Sequence, residues 1–188
     1  MNRREILKYT ALATGATICT PLLNAMLTGC TSKTKDALLG ITLYFFSQEE
    51  LGVVIQMIDT IIPKSNSPAS SEVGVHHEID EMVGLVYQEK DREAYRTGFD
   101  MLLGHLNKEG FPTLENNEKE SMLLDIEQSG TTVNADIKKA YLHLKQQTIA
   151  YYLATEEIGK TYLNYLPVPV EYQPCIPVSE VNGKAWAI

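Results

Sequence analysis

The residues of this chain best suited to chemistry, by type and spacing, are two histidines followed closely by acids. His76 and His77 precede Glu78, Asp80 and Glu81. On a helix, a spacing of four residues would place each histidine and one acid on the same face, as in a metal-binding pair. A pair of ligands is a weak signal for a metal. We favour a solvated first helical turn, in which the acids lie near the positive end of the helix dipole.

The sequence also contains few signs of a functional cysteine. The three cysteines, Cys19, Cys30 and Cys175, form no CxxC pair, no CxxCH haem-attachment site and no Cys/His metal spacing. A catalytic thiol needs a neighbouring base and a polarised site, and nothing near Cys175 in the sequence supplies one. A disulfide between Cys30 and Cys175 stays open only for an extracytoplasmic chain with an unmodified Cys30. The isolated His105 and His143 are predicted to be surface or core residues.

Motifs for common cofactors are missing as well. None of the 12 glycines forms a GxG pair, and neither a P-loop nor a GxSxG nucleophile motif occurs. The formal net charge is -8, from 24 acids against 16 bases, and this sign repels phosphate backbones. The sequence therefore predicts no catalytic, cofactor-binding or metal-binding residue in this chain, and no nucleic-acid partner.

The beginning of the chain is typical of an export signal. It has a basic start at Arg3 and Arg4, a mildly apolar stretch over residues 9–27 and small residues after it. The arginine pair, with Leu7 following, resembles the twin-arginine motif, which a receptor reads on proteins exported in the folded state. Pro21 would interrupt a membrane-spanning helix, so a transmembrane anchor is the weaker interpretation. A Sec-type signal remains the alternative.

The signal ends in "LTGC", at residues 27–30. This resembles a bacterial lipobox, in which the cysteine is lipidated and becomes the new N-terminus, although a plain cleavable signal is the alternative. We therefore predict a signal over residues 1–29, lipidation at Cys30 and a polar tether over residues 30–46. The protein is then expected to be a membrane-anchored lipoprotein that faces the periplasm.

The sequence predicts that the rest of the chain folds into helices. Ser47 and Glu50 have the spacing of a capping box, and the apolar run that follows stops at Pro63. Period-two alternation flanked by hairpin turns does not occur, so we predict an all-α fold with one domain of about five to six helices over residues 47–166. Further helices are predicted at residues 75–86, at residues 95–106 with an end near Gly110, at about residues 114–127, at residues 135–154, and at a short segment that follows a cap at Thr155.

The first predicted helix has an unusually wide apolar band. Val53, Met57 and Ile61 widen the stripe beyond what one core-facing side needs. Such a helix is buried on most sides or partly covered by another protein. We predict that these three residues form a partner-facing side.

Residues 167–188 are richer in proline than the preceding segment, and we predict that they form an extended, Pro-rich tail. Four prolines fall between Pro167 and Pro177, and each lacks the backbone donor that a helix needs. Tyr172 and Trp186 suit an interface, because aromatic side chains are enriched at protein contacts. Packing of the tail on its own helices is an equal alternative.

The order of several motifs resembles the gluconate 2-dehydrogenase subunit 3 family. The segment "FSQEELGVVIQMIDTIIPKSNSPASSEVGVHHEIDEMV" has an acidic helix start, a helix ending in "DTIIP", a loop with Pro and Ala, and "GV" opening the next helix. Later, "YYLATEEIGKTYLNYLPVPVEYQPC" resembles the C-terminal stretch of the family, without the glycines usually seen there. The resemblance covers about residues 45–175.

The resemblance implies a non-catalytic small subunit. The implied partner is an FAD-containing large subunit of the glucose-methanol-choline type, which the small subunit helps to fold, carries through the twin-arginine pathway and attaches to the membrane. A cytochrome c subunit is a further expected partner, and substrate contacts would lie in the large subunit. The alternatives are a free-standing helical lipoprotein that binds another molecule and an enzyme that acts alone through Cys175.

Overall fold

The structure, a computed structural model, describes residues 42–128, 133–166, 168 and 175–187. These residues are mostly helical, without a strand among them, so the all-α prediction is confirmed. A π turn at Met82–Val86 continues the second helix, and a 3-10 turn at Phe111–Thr113 joins the third helix to the fourth. The helices are α1 (Gln48–Ile61), α2 (Val75–Glu81), α3 (Glu89–Lys108), α4 (Asn116–Gln128), α5 (Ala135–Ala154) and α6 (Glu156–Thr161).

The start and end of α1 follow from its local sequence. The backbone N–H of Glu50 donates to Ser47 Oγ at 3.3 Å, and the backbone N–H of Ser47 donates to Glu50 Oε2 at 2.8 Å. This is the predicted capping box, which satisfies two donors that the first helical turn leaves free. The helix ends at Ile61, two residues before Pro63, which cannot continue it.

The core lies between α1, α2, α3, α4 and α5, with Phe111 inserted from the 3-10 turn and Ile158 from α6. Each helix contributes apolar residues at helical spacing, so that one stripe per helix is removed from water. The aromatic side chains of residues 45 and 46 reach this core from the segment before α1. Fully buried side chains include Val54, Ile58, Ile79, Leu102, Leu106 and Leu144.

The predicted partner-facing side of α1 needs a correction. Val53 is 9% exposed and Met57 is 0% exposed, and both belong to the core of this chain. Ile61 is half-buried and packs against the same core. The apolar band of α1 is wide because other helices and residues 45–46 surround it, so these side chains offer little surface to another protein.

The end of the second helix also differs from the prediction. In a continuous α-helix, Val86 would lie on the same face as the buried Val75. Instead, the backbone N–H of Tyr87 donates to the carbonyl of Met82 at 3.1 Å, which closes a π turn. Because each residue of a π turn advances by a smaller angle than in an α-helix, Val86 rotates out of the core and is 65% exposed.

The C-terminal residues 184–187 lie beside the end of α6. The backbone N–H of Asn164 donates to the carbonyl of Ala185 at 2.8 Å, and that of Ala187 donates to the carbonyl of Asn164 at 2.9 Å. These bonds form an isolated bridge between Asn164 and Trp186, whose side chain is 47% exposed. Tyr172, the other predicted interface residue of the tail, lies outside the described residues.

The predicted targeting residues also lie outside the described part of the chain. These are Arg3, Arg4, Leu7 and the lipidation site Cys30. Within the described part, no helix has the length and apolar character needed to cross a membrane.

Candidate functional site

A groove of about 730 Å³ opens between α3 and α5. Its floor is made by small residues, Ala94 and Gly98 on α3 and Ala140 on α5. A Cβ atom on Gly98 would lie 3.3 Å from the Cβ of Ala140, so the two helices already approach closely at this point. The volume is in the range of sites that hold a ligand or a side chain of another protein.

One end of the groove is closed by a chain of hydrogen bonds between α3, α5 and the π turn. Tyr95 Oη donates to Gln147 Oε1 at 3.0 Å, and Gln147 Nε2 donates to Tyr87 Oη at 3.3 Å. Tyr87 Oη lies 3.2 Å from His143 Nε2. The Tyr87 hydroxyl therefore accepts a hydrogen bond from Gln147 and lies within hydrogen-bond distance of His143, so it joins α5 to the π turn.

The groups at this end of the groove are uncharged near neutral pH. Burial, and then the nearby charge of Lys139, lower the pKa of His143. Burial raises the pKa of Tyr87 and of Tyr95. The charges therefore lie at the rim, where Asp91 and Asp136 outnumber Lys139. The rim is acidic and the interior is aromatic.

The groove lining combines aromatic, small and charged side chains. The groove lining contains no Ser or Cys nucleophile, and its only histidine is hydrogen-bonded to Tyr87. Across the described residues, no group of three His, Cys, Asp or Glu side chains is placed to hold a metal ion. A second groove, of about 680 Å³, lies between α3 and α4, where His105 and Asp125 line it.

The structure corrects the interpretation of Asp80 as part of a solvated turn. Asp80 is 1% exposed, and its carboxylate accepts the backbone N–H groups of Tyr44 at 2.7 Å, Phe45 at 3.0 Å and Phe46 at 2.8 Å. It therefore anchors the segment that leads into α1. The available signal was its position three residues before the buried Val83, on the same side of the helix, where an acid needs a buried partner.

The two adjacent histidines occupy the start of α2 with their rings 3.9 Å apart. Burial, and then the positive charge of His77, lower the pKa of His76 to about 4. The negative charge of Asp59 on α1 raises the pKa of His76 and so partly offsets this lowering. Asp59 itself accepts from the backbone and hydroxyl of Ser71, at 2.8 Å and 2.7 Å. His76 is thus close enough to α1 to be affected by the charge of Asp59.

Arg96 is a second structural residue that sequence patterns do not single out. It forms ion pairs with Glu50 of α1 and with Asp100 one turn along α3. Its guanidinium lies 5.2 Å from the ring centroids of both Phe45 and Phe99. The spacing to Asp100 is visible in the sequence, but the contacts with Glu50 and Phe45 depend on the tertiary fold.

The exposed large apolar side chains of the described residues include two groups, beside Tyr44, Leu124, Ile149 and Val178. Leu85 and Val86, on the π turn, are 58% and 65% exposed. The second group lies near the C-terminal end and comprises Tyr165, Leu166, Val168 and Trp186. Contiguous exposed apolar surface is typical of protein contacts.

Cys175, the thiol considered above, is free and exposed.

Comparison with protein families gives one match. A family model described as gluconate 2-dehydrogenase subunit 3 matches residues 48–170, which is more than half of the chain. The match includes the six helices of the described residues and both exposed apolar groups except Trp186. Searches of curated proteins and of solved structures found no significant match.

Proposed function

The chain belongs to the gluconate 2-dehydrogenase subunit 3 family, and from this premise we propose that it is the non-catalytic small subunit of a periplasm-facing sugar or polyol dehydrogenase. The family name makes it one subunit of a multi-subunit dehydrogenase, which implies partner subunits. The match over residues 48–170 is the observation that carries the proposal. An α3–α5 groove without a Ser or Cys nucleophile supports a binding role.

In this proposal the catalytic partner is an FAD-containing large subunit, and a cytochrome c subunit accepts the electrons. FAD is assigned to the partner and not to this chain. Arg3 and Arg4 direct the small subunit to the twin-arginine pathway, and the folded partner travels with it. A lipid on Cys30 then attaches the complex to the membrane. The acidic net charge of -8 favours such an anchor over direct attraction to anionic lipids.

Co-purification from the native host tests the proposal. A tagged form of the whole chain is expected to retain a second, larger protein with flavin absorbance and sugar-dependent reduction of an artificial electron acceptor. The matched control is an unrelated exported lipoprotein with the same tag and the same signal. If the tagged chain retains no flavoprotein, it acts as a free-standing binding module and the proposal is wrong.

A further inference from the structure

We propose that Tyr44, Leu85 and Val86, together termed the apolar knob, form the centre of the surface on which the partner subunit docks. The partner is expected to present an apolar pocket bordered by basic side chains. This inference rests on the proposed function, because it assigns a surface of this chain to that same complex.

The apolar knob is contiguous and held in place. Tyr44 is 47% exposed and lies directly against Gly84, where an added Cβ atom would come within 2.4 Å of the Tyr44 Cβ. Leu85 and Val86 follow Gly84 on the π turn. Nη1 of Arg92 donates to the Gly84 carbonyl at 3.1 Å, which supports the turn from α3. The three residues are therefore neighbours on backbone that is held in place, and each is exposed.

A fixed apolar protrusion is unfavourable in water and useful in an interface. Exposed apolar surface gains free energy when another protein removes it from water. Because the π turn and the hydrogen bonds of Asp80 already hold the knob, little conformational freedom is lost when it binds. π turns also occur frequently at functional sites.

The charge around the knob specifies the kind of partner. Between residues 78 and 93, Lys90 is the one exposed basic side chain, and Arg92 is half-buried against Gly84. This acidic border would repel nucleic acid and anionic lipid and would attract a basic protein surface. The exposed acids of this segment are Glu78, Glu81, Glu89, Asp91 and Glu93.

The neighbouring groove extends the same surface. Tyr87 follows Val86 directly and lines the groove, and Asp91 lies at its rim. A partner that covers the knob can therefore place a basic side chain over Asp91 and against the ring of Tyr87. The second apolar group adjoins residues 167 and 169–174, which lie outside the described residues, so we assign it no partner.

The test compares two double variants in the tagged, full-length chain. Leu85→Ser with Val86→Ser removes the knob, and Leu124→Ser with Ile149→Ser removes two exposed aliphatic side chains elsewhere, which are 42% and 39% exposed. We expect affinity for the flavoprotein to fall about tenfold or more in the knob variant, as for central interface residues. The control variant is expected to bind like the unsubstituted chain.

A charge-reversal pair tests the acidic border separately. Glu81→Lys with Glu89→Lys is expected to slow association with the flavoprotein and to flatten its dependence on salt. Glu120→Lys with Asp125→Lys makes the same change of net charge on α4 and is expected to have a much smaller effect.

The outcomes separate this inference from the proposed function. If the unsubstituted chain retains no flavoprotein, the proposed function fails and the docking surface fails with it. If the unsubstituted chain and the knob variant retain equal amounts, the proposed function stands and the docking surface is wrong. A lower melting temperature of the isolated knob variant would mean that the knob packs against its own chain, which would also overturn the assignment.

Discussion

Asp80 shows how much a single side chain contributes to the start of this domain. Its carboxylate accepts three consecutive backbone N–H groups, of residues 44–46, which have no helix or strand partner. Buried donors left without an acceptor are costly, so the segment before α1 depends on this residue. Arg96 supports the same segment from α3 through its contact with the Phe45 ring.

Replacement of Asp80 is therefore expected to destabilise the domain. Asp80→Ala leaves three donors without their acceptor, and we expect the free energy of unfolding to fall by about 3 kcal/mol. Urea denaturation followed by circular dichroism measures the change. Glu78→Ala, at an exposed position two residues away, is the matched control and should change stability by less than about 0.5 kcal/mol. Equal effects of the two substitutions would contradict the anchoring role.

His76 is expected to make stability depend on pH. Its pKa is about 4 in the folded chain and near 6.5 in the unfolded chain. Between pH 4 and pH 6.5, His76 is therefore mostly protonated in the unfolded chain and mostly neutral in the folded chain. Stability must then fall as pH is lowered from 6.5 towards 4. Because His76 is only partly buried, we expect a contribution of about 1 kcal/mol. His76→Gln should reduce this slope in urea denaturation at several pH values, and an unchanged slope would contradict the assignment.

At the scale of the elements, the helices follow from sequence patterns and the π turn does not. The capping box of Ser47, the stop before Pro63 and the extent of α5 are local features, and each is found where the sequence predicts it. Within the π turn, Gly84 lies against Tyr44, which is distant in sequence. Local periodicity predicts Val86 on the buried face, whereas the π turn leaves it exposed.

Gly84 is expected to be required for this arrangement. A Cβ at Gly84 would lie 2.4 Å from the Tyr44 Cβ and 2.9 Å from its carbonyl carbon, so Gly84→Ala must displace the anchored segment. We expect a loss of about 1–3 kcal/mol in the free energy of unfolding. Gly104→Ala, at an exposed position within α3 with no atom near the added Cβ, should instead stabilise by about 0.5–1 kcal/mol. Stabilisation by both substitutions would contradict the close packing of Tyr44.

At the scale of the whole molecule, the described residues form a small helical domain whose groove and knob suit contact with another protein. The family and the all-α fold could be predicted from the order of the motifs and from helical periodicity. The surface that contacts a partner could not be predicted from the sequence, because the tertiary fold determines which apolar residues are exposed. Val53 and Met57 are apolar like Leu85 and Val86, and only the tertiary fold places the first pair inside and the second pair outside.

The proposed export route makes its own prediction. Arg3→Lys combined with Arg4→Lys is expected to retain both this chain and its flavoprotein partner in the cytoplasm, because the twin-arginine receptor reads the arginine pair. Immunoblots of periplasmic and cytoplasmic fractions measure both proteins. The matched control, Lys33→Arg with Lys35→Arg, changes two basic residues beyond the signal and should leave export intact. Normal periplasmic amounts of both proteins in the arginine variant would indicate a Sec route.

The central claim is that this chain is a partner-binding subunit without a reaction centre of its own. The most direct test separates the captured complex into its subunits and measures bound flavin and sugar-oxidising activity in each. Flavin and activity are expected to remain with the large subunit, and adding back this chain is expected to restore the complex. Flavin or activity in the isolated small subunit would contradict this assignment.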